Sequence, residues 1–142
     1  MRAQMVIREA PDHFDKRDGP DCLLAIQDAA IVGAIVYDLC DDDGFGHVHS
    51  LGVALDRRRI GIGIDLKQQV LDNCTAAGAT AVWSEVDRNN VKMQGLNEKL
   101  GISYTPNPLD GKFFYYTARL VATLEEDEEG LAWTVDNPQG DI

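Results

Sequence analysis

Two histidines lie two residues apart in the run His47–Leu55 (HVHSLGVAL), which then breaks into Asp56-Arg57-Arg58-Arg59 and Gly61-Ile62-Gly63. Histidine can take up a proton near neutral pH, so the pair suits general-base work such as deprotonating an alkylammonium. Side chains on a strand alternate faces, so His47 and His49 project the same way. A hydrogen-bonded structural pair near a strand start is the plainer alternative. Two histidines could also ligate a metal, but the sequence places no third donor, and no metal is expected. Glu85 and Asp87, on or just after a later strand, are fallback bases, with strand-end solvation as their ordinary use.

The basic, glycine-containing turn suits an anion. Glycines between a strand and a helix allow positive φ and close backbone approach. Amides at the helix start, together with the helix dipole, favour negative charge there. Arg57, Arg58 and Arg59 would add charge-assisted contacts to phosphate. Gly-x-Gly alone does not identify a ligand, and a tight turn with exposed arginines has the same composition. A Walker loop is excluded because Gly-Lys-Ser/Thr is absent. A dinucleotide fingerprint is excluded because Leu66 stands where its third glycine would be.

The flanking elements follow from periodicity. Gln4–Glu9 reads as a first strand, and Ala10–Asp21, polar with two prolines, as a loop or single helical turn. Cys22–Gln27 and Ala30–Cys40 are β-rich and separated by Asp28-Ala29, a hairpin or meander. Asp41–Gly46 is a turn and His47–Leu55 the next strand. Apolar positions at Leu66, Val70, Cys74 and Ala77 predict a helix over Ile64–Gly78, stopped by Gly78. Ala79–Val86 is a buried strand. Asp87–Gly101 is a second helix, capped near Asn89 or Asn90. Ile102–Thr105, the turn Pro106–Gly111 and Lys112–Leu120 make a closing hairpin. Strands, helix, strand, helix, strands imply an α/β fold with a mixed sheet and helices packed on it.

The chain of 142 residues suits one domain. Its net charge of −11 is uneven: residues 1–120 carry 17 acidic and 13 basic side chains, and residues 121–142 carry 7 acidic and no basic ones. The expected organisation is therefore a domain over 1–120 and an acidic C-terminal tail over 121–142, whose run Glu125–Gly130 is read as solvated and mobile. Acidity argues against nucleic acid as a partner, and no apolar run approaches the ~20 residues that span a bilayer. No secretory signal opens the sequence. Cys22, Cys40 and Cys74 form no CxxC pair and are expected to be buried reduced thiols, pointing to the cytoplasm.

Over roughly residues 22–120 the sequence resembles the GNAT superfamily of N-acetyltransferases. Arg58-Arg59-Ile60-Gly61-Ile62-Gly63 is similar to its Gln/Arg-x-x-Gly-x-Gly/Ala motif, Leu51-Gly52-Val53 to the Leu-x-Val strand end before it, and Asn90 stands eleven residues before Gly101-Ile102 as in the family's Leu-Gly-Phe helix end. The resemblance implies a GNAT-like mixed, mostly antiparallel sheet flanked by helices. It also implies binding of acetyl-coenzyme A as co-substrate, with direct acetyl transfer to a primary amine of a small molecule or protein. Arg59 through Gly63 would hold the pyrophosphate, with Arg58 and Ile60 in the same motif. Leu51, Gly52 and Val53 would pair with the pantetheine like an added strand and polarise the thioester. Asn90 would contact the pantetheine or cap its helix. His47-Val48-His49 resembles the paired-histidine strand of the arylalkylamine N-acetyltransferases, which makes both histidines candidate bases.

Two departures from the family stand out. Its Asn-x6-Tyr proton donor falls on Asn97, with Tyr104 seven residues further as a substitute. The two helices usual between strands one and two have only about fourteen residues to form in, so the acceptor side is open, or completed by the tail or by a second subunit in a homodimer. The alternative function is a non-catalytic coenzyme A-binding module of the same fold, a sensor or adaptor.

Overall fold

A computed structural model of the chain describes residues 5–10, 20–58, 60–106, 112–116, 121–127 and 130–136, with side chains up to residue 102. The elements run β1 (Met5–Glu9), β2 (Asp21–Gln27), β3 (Ala30–Asp38), β4 (Phe45–Val53), α1 (Ile62–Ala76), β5 (Ala81–Asp87), α2 (Val91–Lys99), β6 (Ser103–Pro106), β7 (Lys112–Tyr116), β8 (Val121–Asp127) and β9 (Gly130–Asp136). The first seven strands form one sheet in the order β1-β2-β3-β4-β5-β7-β6, and β8 with β9 forms a separate pair. Among the described residues only β4 and β5 run parallel; the other pairings are antiparallel. This is the mixed α/β sheet that the order of elements predicts.

Apolar residues of α1 recur every four positions, and Ile62, Leu66, Val70 and Cys74 are all buried. They pack on Leu23, Ala25, Val32, Ile35, Tyr37, Val48 and Val82 of β2–β5 to form the main core. Helix α1 begins two residues earlier than its apolar period suggests, because Gly61, at φ 91°, turns the chain straight into the helix. Helix α2 begins only at Val91, since Asp87–Asn89 fold into a side-chain-bonded turn in which Asp87 Oδ1 accepts from Asn89 N at 2.9 Å. None of Cys22, Cys40 and Cys74 is in a disulfide, but only Cys74 is buried. Cys22 is half-buried and Cys40 is exposed beside the acidic turn after β3, so the expectation of three buried thiols fails at both. The acidic run is not an unstructured tail either: Glu125, Glu126 and Asp127 pair with Ala132, Leu131 and Gly130 in the β8–β9 hairpin. The residues between β1 and β2 that were read as loop or helical turn lie outside the described residues, apart from Ala10, Pro20 and Asp21. No helix among the described residues is long and apolar enough to cross a membrane.

Strand β4 is irregular where it passes the two histidines. Tyr37 pairs with Val48 and Val36 with Ser50, so His49 is an extra residue on the β4 side, a β-bulge. Before the bulge, Gly46 and Val48 face α1. After it, Leu51 and Val53 do, lying against Gly63. A one-residue slip exchanges faces in this way.

The parallel pairing of β4 with β5 covers only Phe45–Ala81, Gly46–Val82 and His47–Trp83. Beyond that point β4 runs on to Val53 and β5 to Asp87 without pairing to each other, and the sheet splays open. Leu66 is fully buried where α1 crosses the strands. Leu66→Ala should lower stability by about 2–5 kcal/mol, read as a reduced urea midpoint with unchanged slope.

Candidate active site

The site is built around the end of the β4–β5 pairing. His47 and Trp83 are the last paired residues, and their rings stack with centroids 3.9 Å apart and planes 3° from parallel. The His49 ring lies 4.2 Å from that of His47, so the strand brings the two together as alternation predicts. Both histidines sit on the sheet face opposite α1. On that same face, Asp38 of β3 pairs with His47 in the ladder and places its Oδ2 2.7 Å from His49 Nε2.

An ionised carboxylate can only accept, so His49 Nε2 carries the hydrogen and Nδ1 of the neutral ring is left as the proton acceptor. The carboxylate also orients the ring and can balance the imidazolium that forms on protonation, the division of labour of a His–Asp pair. The donor atoms of Asp38, His47 and His49 lie within 4.8 Å of one another, so the third polar partner that the sequence does not place is Asp38. It stands eleven residues before His49, where only the hairpin register could reveal it. His47 is the more enclosed ring. Burial, and then the neighbouring His49, push its pKa down to about 4, so it is neutral at pH 7 and accepts protons less readily than a free imidazole. Glu85 is exposed on β5, on the Trp83 side of the strand by alternation.

The anion side of the site is the start of α1. Gly61 occupies the N-cap in a left-handed conformation and contributes no side-chain cap. The first-turn amides of Ile62, Gly63 and Ile64 therefore have neither an intrahelical nor a capping partner of the usual kind. Gly63 is required for close approach, since a Cβ there would lie 3.1 Å from Leu96 Cδ1 of α2. Ile60 is exposed just before the turn. Of the three arginines, Arg57 is committed elsewhere: Nε donates to Gln27 Oε1 at 3.1 Å, and Nη1 pairs with Asp56 at 3.1 Å. It ties the turn to the β2–β3 hairpin. Arg58 Nε donates to Val53 O at 3.1 Å and holds the turn against the end of β4. Arg59 lies outside the described residues.

The remaining candidates separate. Asn90 is the N-cap of α2, its side chain accepting from Met93 N at 3.1 Å. Asn97 is fully buried. It does not open to solvent, and its Oδ1 accepts from Lys67 Nζ. Tyr104 lies on β6, at the sheet edge and separated from β5 by β7, and its side chain is outside the described residues. Lys67 itself is missed by sequence reasoning, because one charged residue next to Leu66 on a helix looks like the start of its polar face. Cys74 is in the core, where burial pushes its thiol up to about 12, so it is no nucleophile at neutral pH.

The sequence matches the profile of the acetyltransferase (GNAT) family over residues 3–102, and the chain belongs to that family of acyltransferase enzymes. No curated protein sequence matches it closely enough to count as a relative. Solved structures similar to it include Arabidopsis thaliana Naa50 with the bisubstrate analogue CoA-Ac-MVNAL, at 20% identity and TM-score 0.66 over 80% of this chain and 98% of that one. The Bacillus subtilis acetyltransferase in complex with CoA matches at 11% identity and TM-score 0.66, over 80% and 97%. The Escherichia coli ribosomal-protein-S18-alanine N-acetyltransferase matches at 15% and 0.64, over 80% and 91%. At these identities the likeness is one of fold.

The enclosure of His47 has a thermodynamic consequence. Its pKa falls from 6.5 in the unfolded chain to about 4 in the folded one, so the unfolded state binds the extra proton first. The resulting stability is present above pH 6.5 and lost as pH falls towards 4. Over that window the melting temperature of wild type should fall more steeply than that of His47→Asn, as measured by calorimetry.

Proposed function

We propose that this chain binds acetyl-coenzyme A in the opening between β4 and β5 and transfers the acetyl group directly to a primary amine. The observation that carries this reading is the loss of β4–β5 pairing after His47 and Trp83. It leaves the edge of Leu51–Val53 away from β3 without a β5 partner, Val53 O being held there by Arg58 Nε, so an extended amide-bearing chain could pair along it, and that edge leads to an uncapped helix start suited to a pyrophosphate. The residues present fit the co-substrate. Gly61 and Gly63 let the backbone approach closely, and amides near Leu51–Val53 would polarise the thioester carbonyl. Acetyl-coenzyme A supplies the activated acyl group, and no covalent enzyme intermediate is needed.

The amine enters from the face bearing Asp38, His47 and His49. His49 Nδ1 takes its proton while Asp38 holds the ring. His47, neutral and stacked on Trp83, fills the vertex of the opening and keeps water from it. Asn90 acts through the backbone as the α2 cap. The acceptor is an amine of a small molecule or of a protein. The protein version is favoured by the exposure of His49, whose side chain is 38% accessible, and by the peptide held by the Arabidopsis neighbour.

Isothermal titration should show micromolar binding of acetyl-coenzyme A by wild type. Gly61→Glu should abolish it, because the substitution forces a side chain into the left-handed region and brings a carboxylate to the phosphate site. No binding by wild type would leave the family's fold without its co-substrate. His49→Ala should bind acetyl-coenzyme A within a few-fold of wild type yet transfer acetyl about 10²-fold more slowly in a panel of amines and N-terminal peptides. Activity confined to free amines would exclude the protein acceptor, and undiminished activity would remove His49 as the base.

A further inference from the structure

Lys67 of α1 is a lysine in a place lysines rarely occupy. It is 2% exposed. Its Nζ donates to Asn97 Oδ1 of α2 and lies 3.4 Å from Ser84 Oγ of β5. Both acceptors are neutral, and among the described residues no carboxylate pairs with the ammonium. An ammonium has three donors, so one N–H is left over. Asn97 Nδ2 is also buried, with no hydrogen-bond partner among the described residues. One N–H of Lys67 and the amide of Asn97 thus sit side by side with no acceptor for them among the described residues, an arrangement that costs stability unless an acceptor arrives.

The position says which acceptor that is. Ser84 directly follows Trp83, the last β5 residue paired to β4. The Lys67–Asn97–Ser84 group therefore lies at the vertex of the opening on the α1 side, with the histidines on the other side. Given the reading of the opening as the thioester site, on which this inference rests, we propose that Lys67 and Asn97 receive the departing sulfur: the Lys67 ammonium protonates the thiolate, and Asn97 Nδ2 hydrogen-bonds to it. The amine nitrogen bonds to the acetyl carbon and its proton passes to His49. The carbon–sulfur bond breaks, and sulfur keeps the electron pair and takes one proton from Lys67 Nζ. Neutral Lys67 regains a proton from water that enters along the path the thiol vacates.

The environment suits a proton donor. Burial pushes Lys67 down to about 8, near the range of an ordinary thiol. Among the described residues, the groups facing it do not compete. Ser84 and Asn97 do not titrate, and Cys74, further along α1, is held neutral by its raised pKa. Asp72 and Glu98 are exposed, Asp65 is half-buried in the first turn of α1, and Glu85 and Asp87 are exposed on the opposite face of β5 from Ser84.

The test is the ionisation of bound coenzyme A, followed by its ultraviolet thiolate band against a desulfo-coenzyme A complex as blank. In wild type the bound thiol should ionise about one unit or more below free coenzyme A, and in Lys67→Met the shift should vanish. With acetyl-coenzyme A, Lys67→Met should lower kcat about 10²-fold and leave KM within a few-fold. A structural lysine would behave otherwise: Lys67→Met would gain thermal stability and keep wild-type kcat, and that result overturns the proposal. An unshifted thiol in wild type also overturns it, and that titration needs no variant to fold. Failure of wild type to bind coenzyme A is a different outcome, seen by titration calorimetry, and removes the acetyltransferase reading along with this one.

Discussion

The proposed function rests on two parallel strands that stop pairing. Strands β4 and β5 share three residue pairs and then part. Backbone polar groups left unpaired inside a sheet are costly unless something satisfies them, so a splay in the middle of a seven-stranded sheet is a built feature. The bulge at His49 bends and twists β4 just after the last pair. Helix α1 props the opening from one side, its Gly63 packed against Leu51 and Val53 of β4 and Leu96 of α2. Arg57 and Arg58 fasten the turn between β4 and α1 to the β2–β3 hairpin and to Val53.

The opening separates two kinds of proton chemistry. On one face are Asp38, His47 and His49, a carboxylate and two imidazoles, one aligned by the carboxylate and one kept neutral by enclosure. On the other are Lys67, Asn97 and Ser84, a donor-rich group sealed between two helices and β5. Acyl transfer from a thioester to an amine needs a proton removed at nitrogen and one supplied at sulfur. On the proposed reading, a sheet is thin enough for groups on its two faces to serve the two ends of one reacting centre, and burial brings Lys67 down to about 8, near the range of a thiol.

The parts of this arrangement that the sequence reveals are those encoded locally. Gly61 and Gly63 announce a turn, Leu66, Val70 and Cys74 a helix, and His47-Val48-His49 a strand with both rings on one side, and each of these is found. The partners that complete the site come from elsewhere in the chain. Asp38 reaches His49 only through the β3–β4 register, including a bulge that no pattern in the sequence marks. Lys67 meets Asn97 and Ser84 only after α1, α2 and β5 have packed, and along the chain it is one polar residue among several. Cys40 was expected to be buried like its fellow thiols, but it follows β3 at the sheet's rim and faces solvent. Charge alone reads the acidic stretch at 125–129 as mobile, yet a charged segment can still pair its backbone, and Glu125, Glu126 and Asp127 do so in β8.

The most direct measurement is amide hydrogen exchange on the whole chain with and without saturating acetyl-coenzyme A, resolved to short segments. If β4 binds an extended chain in the splay and α1 receives the phosphates, protection should rise in residues 50–54 and 60–65 and stay nearly unchanged in β1, β2 and the β8–β9 hairpin. Protection confined to other segments, or none at all at saturating ligand, would contradict the claim that the parted strands are the binding site.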